Sequence, residues 1–165
     1  MTGSSSNDRI YGTTFGDAIN GATGNDTLTS GAGNDVMNGG TGSDLLIGGV
    51  GKDRSTGGDG GDRFIFDEYV ELGVGSSRDV IRDFSKAQRD MIDLSDLDAQ
   101  PSASGSQGFI FIGTTAFSIN TPGQVHYYAS GGATIVELNT DADKAAEYQI
   151  ELAGTIGLSA SDFYL

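Results

Sequence analysis

Along the first 65 residues a large apolar side chain returns every nine positions, at Ile10, Ile19, Leu28, Met37, Leu46 and Phe64, and only Ser55 interrupts the series. Two residues before each of these seven positions stands an aspartate: Asp8, Asp17, Asp26, Asp35, Asp44, Asp53 and Asp62. In register, the blocks GSSSNDRIY, GTTFGDAIN, GATGNDTLT, SGAGNDVMN, GGTGSDLLI, GGVGKDRST and GGDGGDRFI converge on G-G-x-G-x-D-x-U-x, with U apolar. Neither a helix nor a long strand has this period. The six glycine-rich residues of each block predict a turn, and the x-U-x triplet predicts a short strand with U facing inward and its neighbours outward.

Two blocks then make one coil of eighteen residues, and block n stacks on block n+2. Two inner ladders follow. Ile10, Leu28, Leu46 and Phe64 form one; Ile19, Met37 and Ser55 form the other, which Ser55 leaves under-filled. Two outer columns of aspartates follow as well, Asp8, Asp26, Asp44 and Asp62 on one side and Asp17, Asp35 and Asp53 on the opposite one. The predicted fold class is all-β, a right-handed parallel β-roll of nonapeptide repeats over residues 3–66, continued over 67–165 by an antiparallel β-sandwich cap.

Stacked strands lie about 4.8 Å apart, so neighbouring carboxylates in a column repel by roughly 1 kcal/mol in water and several-fold more where water is excluded. A dication between them reverses the sign. The repeats offer only oxygen, which suits calcium, since it accepts six to eight oxygens in flexible geometry. The consensus is also similar to the calcium-binding repeat of parallel β-helices. The expected ligands are the seven aspartates together with backbone carbonyls at positions 2 and 4 of the turns, namely Ala22, Gly24, Gly31, Gly33, Gly40, Gly42, Gly49, Gly51, Gly58 and Gly60. Roughly three to six ions are expected, each between turns n and n+2. The best-formed pairs are Asp26/Asp44, Asp35/Asp53 and Asp44/Asp62. Ser6 and Phe15 stand where position 4 should be glycine, which weakens Asp8/Asp26 and Asp17/Asp35. Composition alone suggests a flexible acidic linker. A linker, however, has no reason to place an apolar residue two positions after six of seven aspartates.

After Phe66 the nine-residue rhythm stops. Short apolar-alternating stretches follow, RFIF, DVIRDF, DMIDLSDL, GFIFIG, QVHYYA, ATIVEL and EYQIEL, separated by polar turns, and SGG marks a hairpin. DVIRDFSKAQRDMIDLSDLDA, FIFIGTTAFS and LSASDFYL resemble characteristic segments of the C-terminal region of serralysin-type secreted metalloproteases, a module also attached to other exported bacterial enzymes. The resemblance covers nearly the whole chain. It implies an RTX calcium β-roll continued by antiparallel strands and a secreted, extracellular home. It also implies a partner, a type I exporter that reads the uncleaved end, Asp162, Phe163, Tyr164 and Leu165. An ordinary last strand is the alternative for those four residues.

The net charge of −14 argues against nucleic acid and anionic membranes as partners. With no cysteine there are no disulfides, and calcium would take over their stapling role. No segment resembles a signal peptide or is long enough to span a membrane, so an export instruction is expected elsewhere. His126 is the single histidine, so the zinc site of a serralysin protease cannot be assembled and no nucleophile–base pair stands out; a strand-face residue is its simplest reading. Asn139, Asp141 and Asp143 form an oxygen-rich stretch that reads as a solvated hairpin turn, with a cation loop as the alternative.

Two functions are consistent with these residues. One is a non-catalytic module that folds on calcium outside the cell. The other is binding of an acidic polysaccharide such as alginate, by similarity to the R-modules of alginate epimerases. That second function needs a basic strip. Lys52, Arg54, Arg63, Arg78, Arg82, Lys86 and Arg89 supply the candidates, with Arg54 and Arg63 expected on opposite sheets.

Overall fold

The structure, a computed structural model, describes residues 1–141 and 143–165. Strands β1 (Arg9–Tyr11), β2 (Ala18–Thr23), β3 (Thr27–Ala32), β4 (Val36–Thr41), β5 (Leu45–Val50), β6 (Arg54–Asp59) and β7 (Arg63–Ile65) follow the seven blocks. Odd and even strands fall into different sheets because the pairing is parallel and shifted by one coil, Leu28 opposite Leu46 and Met37 opposite Ser55. Most of these strands run to six residues, longer than x-U-x, because the ladder continues through positions 1 to 3 of the next block and pairs Gly31 with Gly49 and Gly40 with Gly58. Only positions 4 to 6 are left to make the turn.

Beyond Phe66 both sheets simply continue. Strand β8 (Asp79–Ile81) pairs parallel with β6, and β9 (Met91–Asp93) pairs parallel with β7. Strands β10 (Ile110–Phe111), β11 (Gln124–Ser130), β12 (Ala133–Asn139) and β13 (Tyr148–Ala153) extend the even sheet, and β14 (Phe163–Tyr164) closes the odd one against β9. The result is a six-stranded parallel sheet, β1-β3-β5-β7-β9-β14, facing an eight-stranded mixed sheet, β10-β11-β12-β13-β8-β6-β4-β2. Among the described strands, antiparallel pairs occur only within β11–β12–β13, whose first hairpin turns on Gly131 and Gly132, both at positive φ.

The two inner ladders run through roll and cap, one of them broken at Ser55. Leu28, Leu46, Phe64, Ile92 and Phe163 stack in one, and Ile19, Met37, Ile81 and Leu152 in the other, all buried. Ser55 sits between Met37 and Ile81, and a small cavity of about 10 Å³ lined by Ser55, Leu46, Phe64 and Ile81 marks the missing volume. Each fully buried large apolar side chain contributes about 1.5–3 kcal/mol, so this thin continuous core positions the turns at its two flanks.

Candidate metal centres

Each turn delivers its aspartate into a ladder of its own. One carboxylate oxygen, Oδ1, accepts the backbone N–H of the aspartate one coil earlier: Asp26 from Asp8 N at 2.8 Å, Asp35 from Asp17 N at 2.7 Å, Asp44 from Asp26 N at 2.7 Å, Asp53 from Asp35 N at 2.8 Å and Asp62 from Asp44 N at 2.9 Å. The columns stand at the two flanks as the repeat predicts, but they do not face outward. Asp26, Asp35, Asp44, Asp53 and Asp62 are at most 2% exposed, because the next coil's turn covers them. Their other oxygens, all five Oδ2 atoms, are buried with no hydrogen-bond partner among the described residues. A buried anionic oxygen without a partner is costly, and five in register are groups that could each hold a positive charge.

The backbone is shaped around those oxygens. Ala22, Gly24, Gly31, Gly33, Gly40, Gly42, Gly49, Gly51, Gly58 and Gly60 all have positive φ, from 80° at Gly49 to 141° at Gly51. Ala22 holds this conformation at 82° despite its Cβ. Position 1 matters for a different reason: a Cβ on Gly39 would lie 2.3 Å from Asp44 Oδ2 and 2.6 Å from the Gly57 carbonyl oxygen. The glycine there leaves room for a carboxylate and a carbonyl of the next coil to approach one another.

The first coil differs. Asp8 Oδ2 accepts Ser4 N at 2.6 Å and the Ser4 hydroxyl at 2.9 Å, and Asp17 Oδ2 accepts Thr13 N at 2.7 Å and the Thr13 hydroxyl at 2.8 Å. Serine and threonine thus satisfy the oxygens that deeper in the roll are bare. Position 5 adds an uncharged ladder: Oδ1 of Asn7, Asn25 and Asn34 accepts the backbone N–H of Asn25, Ser43 and Lys52.

Both columns outlast the repeats. Asp79 Oδ1 accepts Asp53 N at 2.7 Å, and Asp90 Oδ1 accepts Asp62 N at 3.0 Å, the same contact that links successive blocks. Both are buried. Asp83 caps the last complete turn, receiving Gly57 N and Gly58 N on its two oxygens. The repeat period alone misses these three aspartates. The available signal was the D-x-U triplet, which recurs without its glycines as Asp79-Val80-Ile81 and Asp90-Met91-Ile92.

The electrostatics separate Asp17 from Asp44, Asp53, Asp62, Asp79 and Asp90. Hydrogen bonds from the Thr13 hydroxyl and N–H hold the Asp17 carboxyl below its usual range. Deeper in the column the direction inverts. Burial, reinforced by the charge of the neighbouring column aspartate, pushes Asp53 and Asp62 up to about 6 and Asp79 up to about 8. Asp44 and Asp90 are raised for the same first reason. Backbone N–H donors oppose these shifts without cancelling them. An all-oxygen set with buried bare oxygens and disfavoured charge fits a hard dication such as calcium, and fits neither a thiolate nor an imidazole metal.

Outside the columns, His126 and the terminal residues make polar and packing contacts of their own. His126 lies on β11 and pairs with Glu137 at 2.8 Å, with Phe117 packed edge-on at 4.4 Å between ring centroids. Asp162 caps a short turn through Ser159 and meets Lys86 at 3.0 Å; Phe163 is buried in the core and Tyr164 lies under Arg63, 4.5 Å from the guanidinium. Of the four terminal residues, Phe163 and Tyr164 form the last strand of the six-stranded sheet.

A two-sheet roll with bare carboxylates stacked in its flanking turns defines the class, a nonapeptide-repeat β-roll module. More narrowly, residues 2–165 match the family described as Peptidase M10 serralysin C terminal, and the chain belongs to that family. Among solved structures it is similar to the AlgE6R3 subunit of the Azotobacter vinelandii mannuronan C5-epimerase, at 29% identity and TM-score 0.42, over 98% of this chain and 80% of that one. It is also similar to the AlgE6R2 subunit of the same epimerase, at 26% identity and TM-score 0.46, over 99% of this chain and 90% of that one. No curated protein matches the chain. Among the described residues no helix is long and apolar enough to cross a membrane.

Proposed function

We propose that this chain is a non-catalytic, calcium-dependent folding module of a larger exported bacterial enzyme. The observation that carries the reading is the set of five buried Oδ2 atoms without partners, on Asp26, Asp35, Asp44, Asp53 and Asp62. Together with Asp79 and Asp90 these residues would hold the ions, and Ser4 and Thr13 end the series at the first coil. Bound calcium supplies the positive charge that makes stacked, desolvated carboxylates compatible with folding. Without it the columns repel and the chain, at −14, favours open conformations. Binding to the folded state alone adds folding free energy, about 1.4 kcal/mol for each tenfold excess over a site's dissociation constant, and several sites make the response cooperative. Affinities of extracellular calcium modules, about 10⁻⁴–10⁻³ M, would leave such a chain unfolded inside a cell and folded outside it. Export through a type I system, reading Asp162 to Leu165, belongs to this proposal. Circular dichroism of chelated protein titrated with calcium tests it: β-structure is expected to appear cooperatively with calcium and not with magnesium. Full compaction in excess EGTA refutes it.

A second reading, binding of an anionic glycan, is favoured by one observation. Arg54 on β6 pairs with Val80 on β8, and its side chain shares the outer face of the eight-stranded sheet with Arg78 and Arg82, which flank Val80. Arg78 is paired with Glu151, while Arg54 and Arg82 are exposed and have no ion pair among the described residues. Asn38 and Asn20, hydrogen-bonded to each other, continue the same face. Titration with oligo-alginate, followed by amide chemical shifts, is expected to perturb Arg54, Val80 and Arg82. No shift at millimolar ligand removes this reading and leaves the first intact.

A further inference from the structure

The loop joining β12 to β13 carries an oxygen cluster that belongs to neither column. Asp141, Asp143 and Glu147 each place a carboxylate oxygen within 4.8 Å of the other two. The loop is folded onto these groups: Asp143 N donates to Asp141 Oδ1 at 2.8 Å, Ala145 N to Asp143 Oδ1 at 2.5 Å, and Thr140 N to Glu147 Oε2 at 2.6 Å. The ion pairs among the described residues are Arg63–Asp93, Arg78–Glu151, Lys86–Asp162 and His126–Glu137, so no basic side chain neutralises the three.

Asn139 supplies the independent observation. Its side chain is fully buried, and Nδ2 donates to the carbonyls of Asp143 at 3.2 Å and Ala145 at 2.8 Å, which anchors the carboxamide on the loop that bears the cluster. Its Oδ1 is buried and accepts no hydrogen bond from the described residues. An unsatisfied buried acceptor is costly, and here it accompanies three close carboxylates. Four side-chain oxygens at 139, 141, 143 and 147, with no nitrogen or sulfur ligand, suit a hard cation of flexible coordination.

We propose that the β12–β13 loop is a separate calcium site, with Asn139 Oδ1 and the carboxylates of Asp141, Asp143 and Glu147 as its ligands. None of these residues belongs to the repeat turns. Asp141 and Asp143 are exposed, so water completes the coordination and this ion exchanges more freely than those of the roll. Its place in the fold gives it a task. Asn139 ends β12 and pairs with Gln124 of β11, so the ion ties the loop to the antiparallel meander, the part of the cap that the repeats do not organise.

The test counts ions. Native mass spectrometry of the full chain in calcium is compared with the Asp143→Asn/Glu147→Gln double variant and with Asp141→Asn, which keeps its Oδ1 acceptor. The variants are expected to bind one ion fewer, with the circular dichroism of the roll unchanged. In the wild-type chain, calcium is expected to shift the amide resonances of Thr140, Asp143 and Ala145 in a separate step. An unchanged ion count in Asp141→Asn, or loop amides that do not respond to calcium, overturns the site while leaving the roll untouched. A chain that binds no calcium at all overturns both readings.

Discussion

Asp44→Asn discriminates between a metal ladder and an ordinary buried polar ladder, because its effect should change sign with calcium. Asp44 is 0% exposed, accepts Asp26 N on Oδ1 at 2.7 Å, and has a bare Oδ2. Asparagine keeps the Oδ1 acceptor and removes the charge. In a column with a strand repeat of about 4.8 Å, at an effective dielectric near 20, each neighbouring carboxylate repels Asp44 by roughly 3–4 kcal/mol before screening. Asp26 and Asp62 are both neighbours, so in excess EGTA the variant is expected to be at least as stable as the wild type, by about 1–3 kcal/mol once water and salt are allowed for. In millimolar calcium the same substitution removes a ligand from two ions. A tenfold loss of affinity at each costs about 1.4 kcal/mol, so destabilisation of roughly 3 kcal/mol is expected. In excess EGTA, where the chain is largely open, the residual β-structure seen by circular dichroism reads the sign; in calcium, urea or thermal denaturation reads it, with magnesium as control. A shift of the same sign and size in calcium and in EGTA would refute the reasoning.

The other predictions each test one structural element. The pKa values of Asp53 and Asp62 rise to about 6 and that of Asp79 to about 8, from 3.8, so the folded chain holds protons that the unfolded chain releases. Their penalty is complete above about pH 8 and vanishes below about pH 4, so in EGTA β-structure should increase on acidification. In calcium the competing protons should raise the calcium midpoint over the same range, as paired titrations at pH 7.5 and about 5.5 would show. Ser55→Val, filling the small cavity it lines with Leu46, Phe64 and Ile81, should raise stability in calcium by about 1 kcal/mol; a lower melting temperature would mean that the site has no room. Gly39→Ala should cost roughly 3 kcal/mol or more, because its Cβ meets a buried carboxylate and a carbonyl, whereas Gly131→Ala, with nothing within 4 Å but a positive φ, should cost about 1 kcal/mol. Deleting residues 162–165 removes buried Phe163 and the Leu94 N–Tyr164 O bond, and should lower stability by about 3–5 kcal/mol in denaturation.

The nine-residue period made the roll legible because it couples two requirements in one string, an apolar residue inward and an acidic turn at the flank. Stacking, both ladders, the even and odd sheets and the gap at Ser55 follow from it. The strands' extension into the glycines was hidden, since glycine carries no side chain whose alternation could reveal pairing. The burial of the columns was hidden for a related reason. Repeat position assigns an aspartate to a turn, but only the coil above determines how much water reaches it. The role of Ser4 and Thr13 depends on a negative fact, that their turns take a different backbone path from those at Gly31 or Gly40, which the letters alone do not display.

The limit of the period is clearest at Asp79 and Asp90. Within the roll each aspartate meets its partner eighteen residues on, whereas Asp53 meets Asp79 across 26 residues and Asp62 meets Asp90 across 28. The extra residues leave the coil and return, so no fixed spacing survives. Strand pairing restores the register nonetheless, because Ile81 must sit on Ser55 and Ile92 on Phe64 to continue the core. The aspartate two residues before each is thereby carried into its column. Burial of the apolar residue is what places the acid, in the cap as in the repeats. The acidic columns are in this sense a by-product of core stacking, and under the proposed calcium-dependent folding, substitutions at Ile81 or Ile92 should weaken calcium binding without touching Asp79 or Asp90.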